Sequence, residues 1–431
     1  MKRFILIVIL IICYKVQAQE LLSAHDAVNI ALKNSLDIQL AKNDLEVNRV
    51  LNNYGVAGGL PSITGSASDN ESLTSVNQKL NTGTVIQRSG TFSNNLNGNI
   101  TAGILLFNGY RVVATKKRLE ELQKQSEYAV NAQIQNVIAA VLTGYYDIVR
   151  QQDYLKTIDI SIDVAQKKLA IVQTQQSVGM ANNADLFQAQ LDLNTLQQTK
   201  QSQLLVIDQA KTELLRLMTL KPDSLINIKD TILVDRNLKL DEVLSNLSAN
   251  PDVLFAGEQI KINEQIVRET AAQRYPSVRA TTGYNYTRNQ TAAGNVLFNQ
   301  NYGPTIGLSL SVPIYNGSAY KRQQRAAEIN VNSAEIERQT LLRDYSAGAV
   351  KNYHAFINNL NQLETEQKNF LLAQQLLDLV YERFKARVAT IVDFTLAQQT
   401  FQESAYRLVN LNFAAKAAEI ELKRLANALE F

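Results

Sequence analysis

The stretch TIGLSLSVPIYNG, residues 305–317, decides the fold. Ile306, Leu308, Leu310 and Val312 alternate with Thr305, Gly307, Ser309 and Ser311, the period-2 pattern of a β-strand with one apolar face. The sequence on either side of it reads as helix. What covers that apolar face therefore decides what kind of protein this is.

Working outward, the stretch turns out to occur twice in outline. LLFNG at 105–109 returns as PIYNG at 313–317, and ADLFQAQ at 184–190 returns as VDFTLAQ at 392–398. Both pairs lie 208 positions apart, 109 to 317 and 185 to 393. Two unrelated anchors at one spacing argue for a duplicated chain. LPSI at 60–63 matches YPSV at 275–278 at a spacing of 215, so the first copy holds seven more residues before its Asn-Gly, as a surface loop tolerates. Asn34-Ser35 answers Asn250-Pro251, which predicts a short helix, a break and a longer helix at the start of each copy. The copies span 19–218 and 238–431, joined by a connector at 219–237.

All six prolines fall outside 62–221 and 314–431. Proline breaks helix interiors, so long helices are free to run over 111–218 and 318–431. The 68 residues from Arg111 to Val178 would make roughly 100 Å of helix at 1.5 Å per residue. Gly144 and Gly348 are candidate bends. Heptads run in the same register in both copies: Leu186, Leu193, Ile207 and Leu214, with Lys200 interrupting, and Phe394, Phe401, Leu408, Ala415 and Leu422. Companion rows carry Gln203 and Ser404 as interruptions. A seven-residue repeat implies left-handed coiling against neighbouring helices.

Strand-like runs occupy about 62–107 and 277–315, two in each copy. Leu96, Gly98, Ile100, Ala102, Ile104 and Leu106 oppose an Asn- and Thr-rich face, and Val278, Ala280, Tyr284 and Tyr286 oppose Ser277, Arg279, Thr281 and Gly283. The stretches at about 69–92 and 288–303 are rich in Asn, Ser, Thr and Gly and read as exposed loops. That leaves strands of about 10 to 13 residues, the length a tilted strand needs to cross a bilayer, with tyrosines placed for an interfacial girdle. Four strands are half of the smallest membrane barrel. The chain must then oligomerise to close its sheet, or pack its hairpins on its own helices. Asn108-Gly109 and Asn316-Gly317 mark the strand-to-helix junctions, with the glycines taking the unusual backbone angles.

The start of the chain fits an exported protein. Lys2 and Arg3 precede an apolar run from Phe4 to Cys13, and Val16 and Ala18 suit cleavage after Ala18, so 1–18 reads as a signal peptide. Cys13, the one cysteine, lies inside it. Lys2, Arg3 and Lys15 would leave with the leader, so the 43 basic residues fall to 40 against 40 acidic ones. A neutral balance gives no footprint for nucleic acid. His25 and His354 have no ligand-spaced partners, no phosphate loop or serine elbow occurs, and neither an enzyme nor a cofactor is expected. Met180 and Met218 are too few for a soft-metal pathway.

Helix, strand pair and long helices, duplicated behind a signal peptide, resemble the TolC-like outer-membrane efflux family. The resemblance covers essentially the whole chain after the leader. It rests on LLFNGY and PIYNGS at the junctions and on SVGMANNADLFQAQ and ATIVDFTLAQQ at the helix turns. It implies a mainly α fold with a β-barrel part: a homotrimer whose twelve shared strands cross the outer membrane and whose coiled helices form an α-barrel through the periplasm. The implied partners are outer-membrane lipid, a periplasmic adaptor and an inner-membrane pump or exporter, and the implied function is a passive exit duct. Ile306, Leu308, Leu310 and Val312 then face lipid. The rival is a soluble periplasmic coiled-coil adaptor or structural protein, which would not need four such strands.

By the same resemblance the helix turns, near 178–185 and 387–393, form the inner aperture. Gly179 matches the family's turn glycine, followed by Met180, whereas Arg387 holds that place in the second copy. Asp393 occupies a position that presents a carboxylate into the closed aperture, with Leu396 where a second would stand. Asp185 is the first turn's aspartate. Ala389 fills the aligned site of its basic partner, and Arg387 lies two residues earlier. The alternative role for Asp185 and Asp393 is helix capping.

Overall fold

The computed structural model describes residues 21–429, so the expected signal peptide at 1–18 lies outside the described residues. The order is α1 (Ala24–Asn34), α2 (Leu36–Leu51), β1 (Ser62–Lys79), β2 (Val85–Phe107), α3 (Arg111–Ser177), α4 (Asn183–Leu217), α5 (Leu240–Asn246), α6 (Pro251–Ala272), β3 (Ser277–Thr291), β4 (Phe298–Ser311), α7 (Ala319–Lys385) and α8 (Ile391–Leu425). α3 and α7 each run 67 residues, and neither Gly144 nor Gly348 interrupts its helix. None of these helices is long and apolar enough to cross a membrane.

The described chain divides into two compact units, and neither follows the sequence copies. One unit holds the chain to Asn43, Tyr128–Leu254 and Gln339 onward; the other holds Asp44–Glu127 and Phe255–Arg338. In the first unit the coiled helices enclose three apolar clusters. One gathers Val28, Val141, Tyr145, Ile148 and Leu214, a second Val172, Ala189, Phe384, Phe394 and Phe401, and a third Val243, Phe356, Leu422 and Leu425. Gln203 and Ser404, which interrupt the companion rows, are buried and paired. Gln203 donates to the Gln151 carbonyl at 3.0 Å, and Ser404 donates to Glu366 at 2.6 Å. Burial of a polar group is tolerable when it is hydrogen-bonded in this way.

In the second unit the strands form one antiparallel meander in the order β1-β2-β3-β4. Its register sorts the side chains by face, since cross-strand partners share a face. Ile104, Ala280 and Leu308 form one row; Ile63, Ala102, Thr282 and Ile306 the next; then Gly65, Ile100, Tyr284 and Pro304, and Ala67, Gly98, Tyr286 and Tyr302. The row after that is Asp69, Leu96, Arg288 and Gln300, where the apolar face ends. The reverse face along the same length carries Ser, Thr, Asn and Gly.

Here the structure corrects the sequence reading. The polar stretches 69–92 and 288–303 are mostly strand, with turns only at 80–84 and 292–297: β1 and β2 stay paired out to Lys79 and Val85, and β3 and β4 to Gln290 and Phe298. Polarity marks where the apolar band stops, but a ladder satisfied by backbone bonds continues wherever Thr, Ser and Asn side chains can stand in water. The strands are accordingly 14 to 23 residues long rather than 10 to 13. β4 stops at Ser311, so Val312, expected on its apolar face, lies one residue beyond the strand.

Candidate functional site

The sequence-predicted residues fall into two groups, the turns between long helices and the sheet with its junctions to helix.

The two helix turns share one backbone. At the end of α3, Gly179 has φ +72°, its N–H donates to the Gln176 carbonyl at 2.9 Å, and Met180 N–H donates to Gln175 at 2.7 Å. At the end of α7, Arg387 has φ +64°, its N–H donates to Phe384 at 3.1 Å, and Val388 N–H donates to Arg383 at 2.8 Å. Both are the paired 6→1 and 5→2 bonds of a Schellman helix end, one with glycine and one with arginine in the left-handed position. The next helix then starts on a capping box each time. Asn182 accepts from Asp185 N–H at 2.8 Å, and Thr390 accepts from Asp393 N–H at 3.1 Å. Asp393 in turn accepts the Thr390 N–H at 2.9 Å and its hydroxyl at 2.8 Å. The caps are thus Asn182 and Thr390, and the two aspartates are the third helical residues that lock them. The Thr390 N–H and hydroxyl, with Arg383 nearby, hold the Asp393 carboxyl below the usual carboxylate range.

Met180, Asp185, Arg387 and Ala389 line one cavity of about 330 Å³ between the turns, with Phe384 and Ile391 behind them. Asp185 is half-buried there and forms no ion pair with Arg387. Gly179 and Asp393 are exposed and outside the cavity lining.

A cluster near these turns escaped the sequence reading. Lys168 is fully buried; its Nζ donates to Asp192 at 2.5 Å and to Thr395 at 3.2 Å, and lies 5.4 Å from the Phe394 ring centre. It ties α3 to α4 and both to α8. Only its appearance within a largely apolar row pointed to it.

At the strand-to-helix junctions, Gly109 and Gly317 have φ +66° and +65°. The following residues, Tyr110 and Ser318, are also left-handed at +66° and +63°, which no glycine announced. Asn108 accepts the Val112 N–H at 3.4 Å at the start of α3. On β4, Ile306, Leu308 and Leu310 are 91%, 75% and 67% exposed in the isolated chain.

A membrane-length apolar band on a sheet with two open edges, followed in each copy by very long coiled helices, defines a class of envelope channel. The chain belongs to the outer membrane efflux protein family, whose model matches residues 27–220 and 244–428, and it is an outer-membrane protein extending into the periplasm. It is 23% identical over 400 residues to the toxin and drug export protein A of Aggregatibacter actinomycetemcomitans, covering 91% of this chain and 83% of that one. It is 22% identical over 356 residues to outer membrane protein TolC of Escherichia coli, covering 78% and 71%. Among solved structures, VceC of Vibrio cholerae superposes with a TM-score of 0.78 at 18% identity over 94% of this chain and 95% of that one. CusC gives 0.76 at 16% identity over 95% and 92%. The family and these solved neighbours are channels rather than enzymes.

Proposed function

We propose that the protein is the passive exit duct of a tripartite efflux or type I secretion system. Three copies close one twelve-stranded barrel in the outer membrane, and their long helices form the periplasmic conduit. The observation that carries this reading is the sheet register: one face is apolar for the depth of a bilayer and turns polar beyond Tyr286 and Tyr302, while β1 and β4 each have a partner on one side only. Open edges cannot stand in lipid, and the two hairpins supply four of the at least eight strands that closure needs.

The helices support it too. Leu372, Leu376 and Leu379 form an exposed apolar stripe on α7, as do Leu36, Leu40 and Val47 on α2, at the spacing that packs against another helix. In this reading the turns at Gly179–Met180 and Arg387–Ala389 meet a periplasmic adaptor attached to an inner-membrane pump, Asp393 faces the aperture, and Ile306, Leu308 and Leu310 face lipid. Relatives named for toxin and drug export, protease secretion and pyoverdine export agree with a conduit whose cargo is chosen by its pump. The test is the native mass of the protein extracted from outer membranes in mild detergent. Three chains are expected; a single chain stable in buffer without detergent would overturn the duct.

A further inference from the structure

Arg279 is the one charged side chain on the polar face of the sheet between Ser277 and Asn285. It lies over Gly103, where an added Cβ would stand 3.5 Å from the arginine Nη1. Beside it, where β2 hands over to α3, is a cavity of about 480 Å³ lined by Arg279, Arg111, Asn108, Ser277, Ser311 and Tyr320, among others. No carboxylate lines it, and among the described residues neither arginine, both of them exposed, has an ion-pair or hydrogen-bond partner for its side chain. The amide nitrogen of Asn108 is buried with no hydrogen-bond partner. The first turn of α3 holds no acidic residue, so the positive end of its dipole is uncompensated.

Each feature asks for the same complement. Two guanidinium groups, a donor-only amide nitrogen and hydroxyls around one polar space lack an acceptor carrying negative charge, and arginine meets phosphate or carboxylate oxygens with paired hydrogen bonds. A buried donor left unpaired is destabilising, and an anion in the cavity would pair it.

We infer that this cavity is an anion-binding site for a phosphate, carboxylate or sulfonate group, with Arg279 and Arg111 as its ligands. Because Arg279 lies on the polar face, the anion comes from the duct interior, a dissolved ion or an acidic group on passing cargo, and not from a lipid headgroup. That placement rests on the proposed duct; the binding itself does not. A trimer would present three such sites in one ring, the arrangement by which cationic side chains favour anions in a pore.

Calorimetric titration of the detergent-extracted protein with inorganic phosphate tests the binding. Saturable binding is expected, weakened at least tenfold in Arg279→Gln and in Arg111→Gln, each at unchanged native mass, and unaffected in Lys321→Gln, which lies outside the cavity. No saturable binding by the unaltered protein, or binding by both arginine variants as tight as that of the unaltered protein, would overturn the site. The second arginine variant keeps the test decisive if one fails to fold. Repeating the titration in nanodiscs containing phosphatidylglycerol distinguishes the sources. Unchanged affinity is expected, whereas competitive loss would give the site to a headgroup and overturn its placement in the duct. A protein that binds phosphate yet extracts as a monomer would sink the duct and leave the site.

Discussion

The two copies keep one backbone and fill it with different side chains. The left-handed residues recur at a spacing of 208: Gly109 and Gly317, Tyr110 and Ser318, Gly179 and Arg387, Thr219 and Asn427. Each helix end is held by main-chain hydrogen bonds, which do not depend on residue type, so the fold tolerates arginine where the first copy has glycine. The surroundings do depend on residue type. A Cβ on Gly109 would stand 2.6 Å from Tyr275 Cβ and 2.8 Å from the Ala272 carbonyl, whereas one on Gly317 would meet nothing within 4 Å. The repeat therefore shows where geometry is required, and the departures from it show where a side chain has taken on another task.

The largest departure is the buried pair. At a spacing of 208, Leu376 and Thr400 stand where the first copy has Lys168 and Asp192, so only one copy carries this tie. Removing one member of a buried pair costs about 3–5 kcal/mol; the side chain of Asp192 keeps 18% exposure, which puts Lys168→Ala near the lower end. Thermal unfolding in detergent is expected to show that loss. The double change Lys168→Met with Asp192→Leu should recover most of it, because an apolar pair carries no desolvation cost. If the single change is silent, the tie between the hairpins is incidental.

Next comes the sheet. Leu308→Arg is expected to cost about 2–4 kcal/mol if that face meets mid-bilayer, read as lost trimer in the membrane. Thr305→Arg, on the opposite face and across from Gly283, should assemble normally. Equal yields from both would erase the distinction between the faces.

The paired glycines give a smaller effect. Gly109→Ala combines left-handed strain of about 1–2 kcal/mol with a clash against backbone, while Gly317→Ala carries the strain alone. The ratio of their destabilisations, measured side by side, should exceed one, and a ratio of one would mean that Tyr275 simply moves aside.

These pairs also show what a one-dimensional reading can reach. The duplication, the long helices and the apolar and polar faces of 305–311 were legible because spacing and period are properties of sequence. Strand ends were not: Asn94, Ser93 and Thr91 look like loop residues, yet they continue the ladder, since pairing depends on a partner strand far along the chain. Tyr110 and Ser318 were missed because the left-handed angle spread from glycine to its neighbour. The Lys168 pair and the Arg111 and Arg279 cavity were invisible for a third reason. Their members lie 24 and 168 positions apart, and only packing brings them together.

Arg387 invites the converse substitution. Arginine in the left-handed region costs about 1–2 kcal/mol relative to glycine, and its side chain is exposed with no ion-pair partner among the described residues. Arg387→Gly should therefore stabilise the second turn by about 1 kcal/mol, and Gly179→Ala should destabilise the first by a similar amount, both read from thermal unfolding. A loss of stability in Arg387→Gly would show that the arginine makes up its strain through the cavity it lines with Asp185.

The two aspartates differ least in backbone and most in setting: Asp393 is exposed, Asp185 is half-buried in the cavity between the turns. Asp393→Asn keeps an oxygen for the Thr390 N–H, so the box survives while the charge goes. If Asp393 faces a three-fold aperture, three like charges would favour cations there, and the variant's ratio of potassium to chloride permeability in planar bilayers should fall at least twofold. Asp185→Asn should change it less. The Asp393 pKa lies below its ordinary 3.8, so its contribution to the cap is present above that value and fades as pH falls through the lower, folded-state value. Amide exchange at Thr390 should quicken over that range in the unaltered protein and stay flat in Asp393→Asn. Faster exchange with unchanged ion selectivity would reduce Asp393 to a capping residue, and the difference between the two copies at this position would then be one of exposure alone.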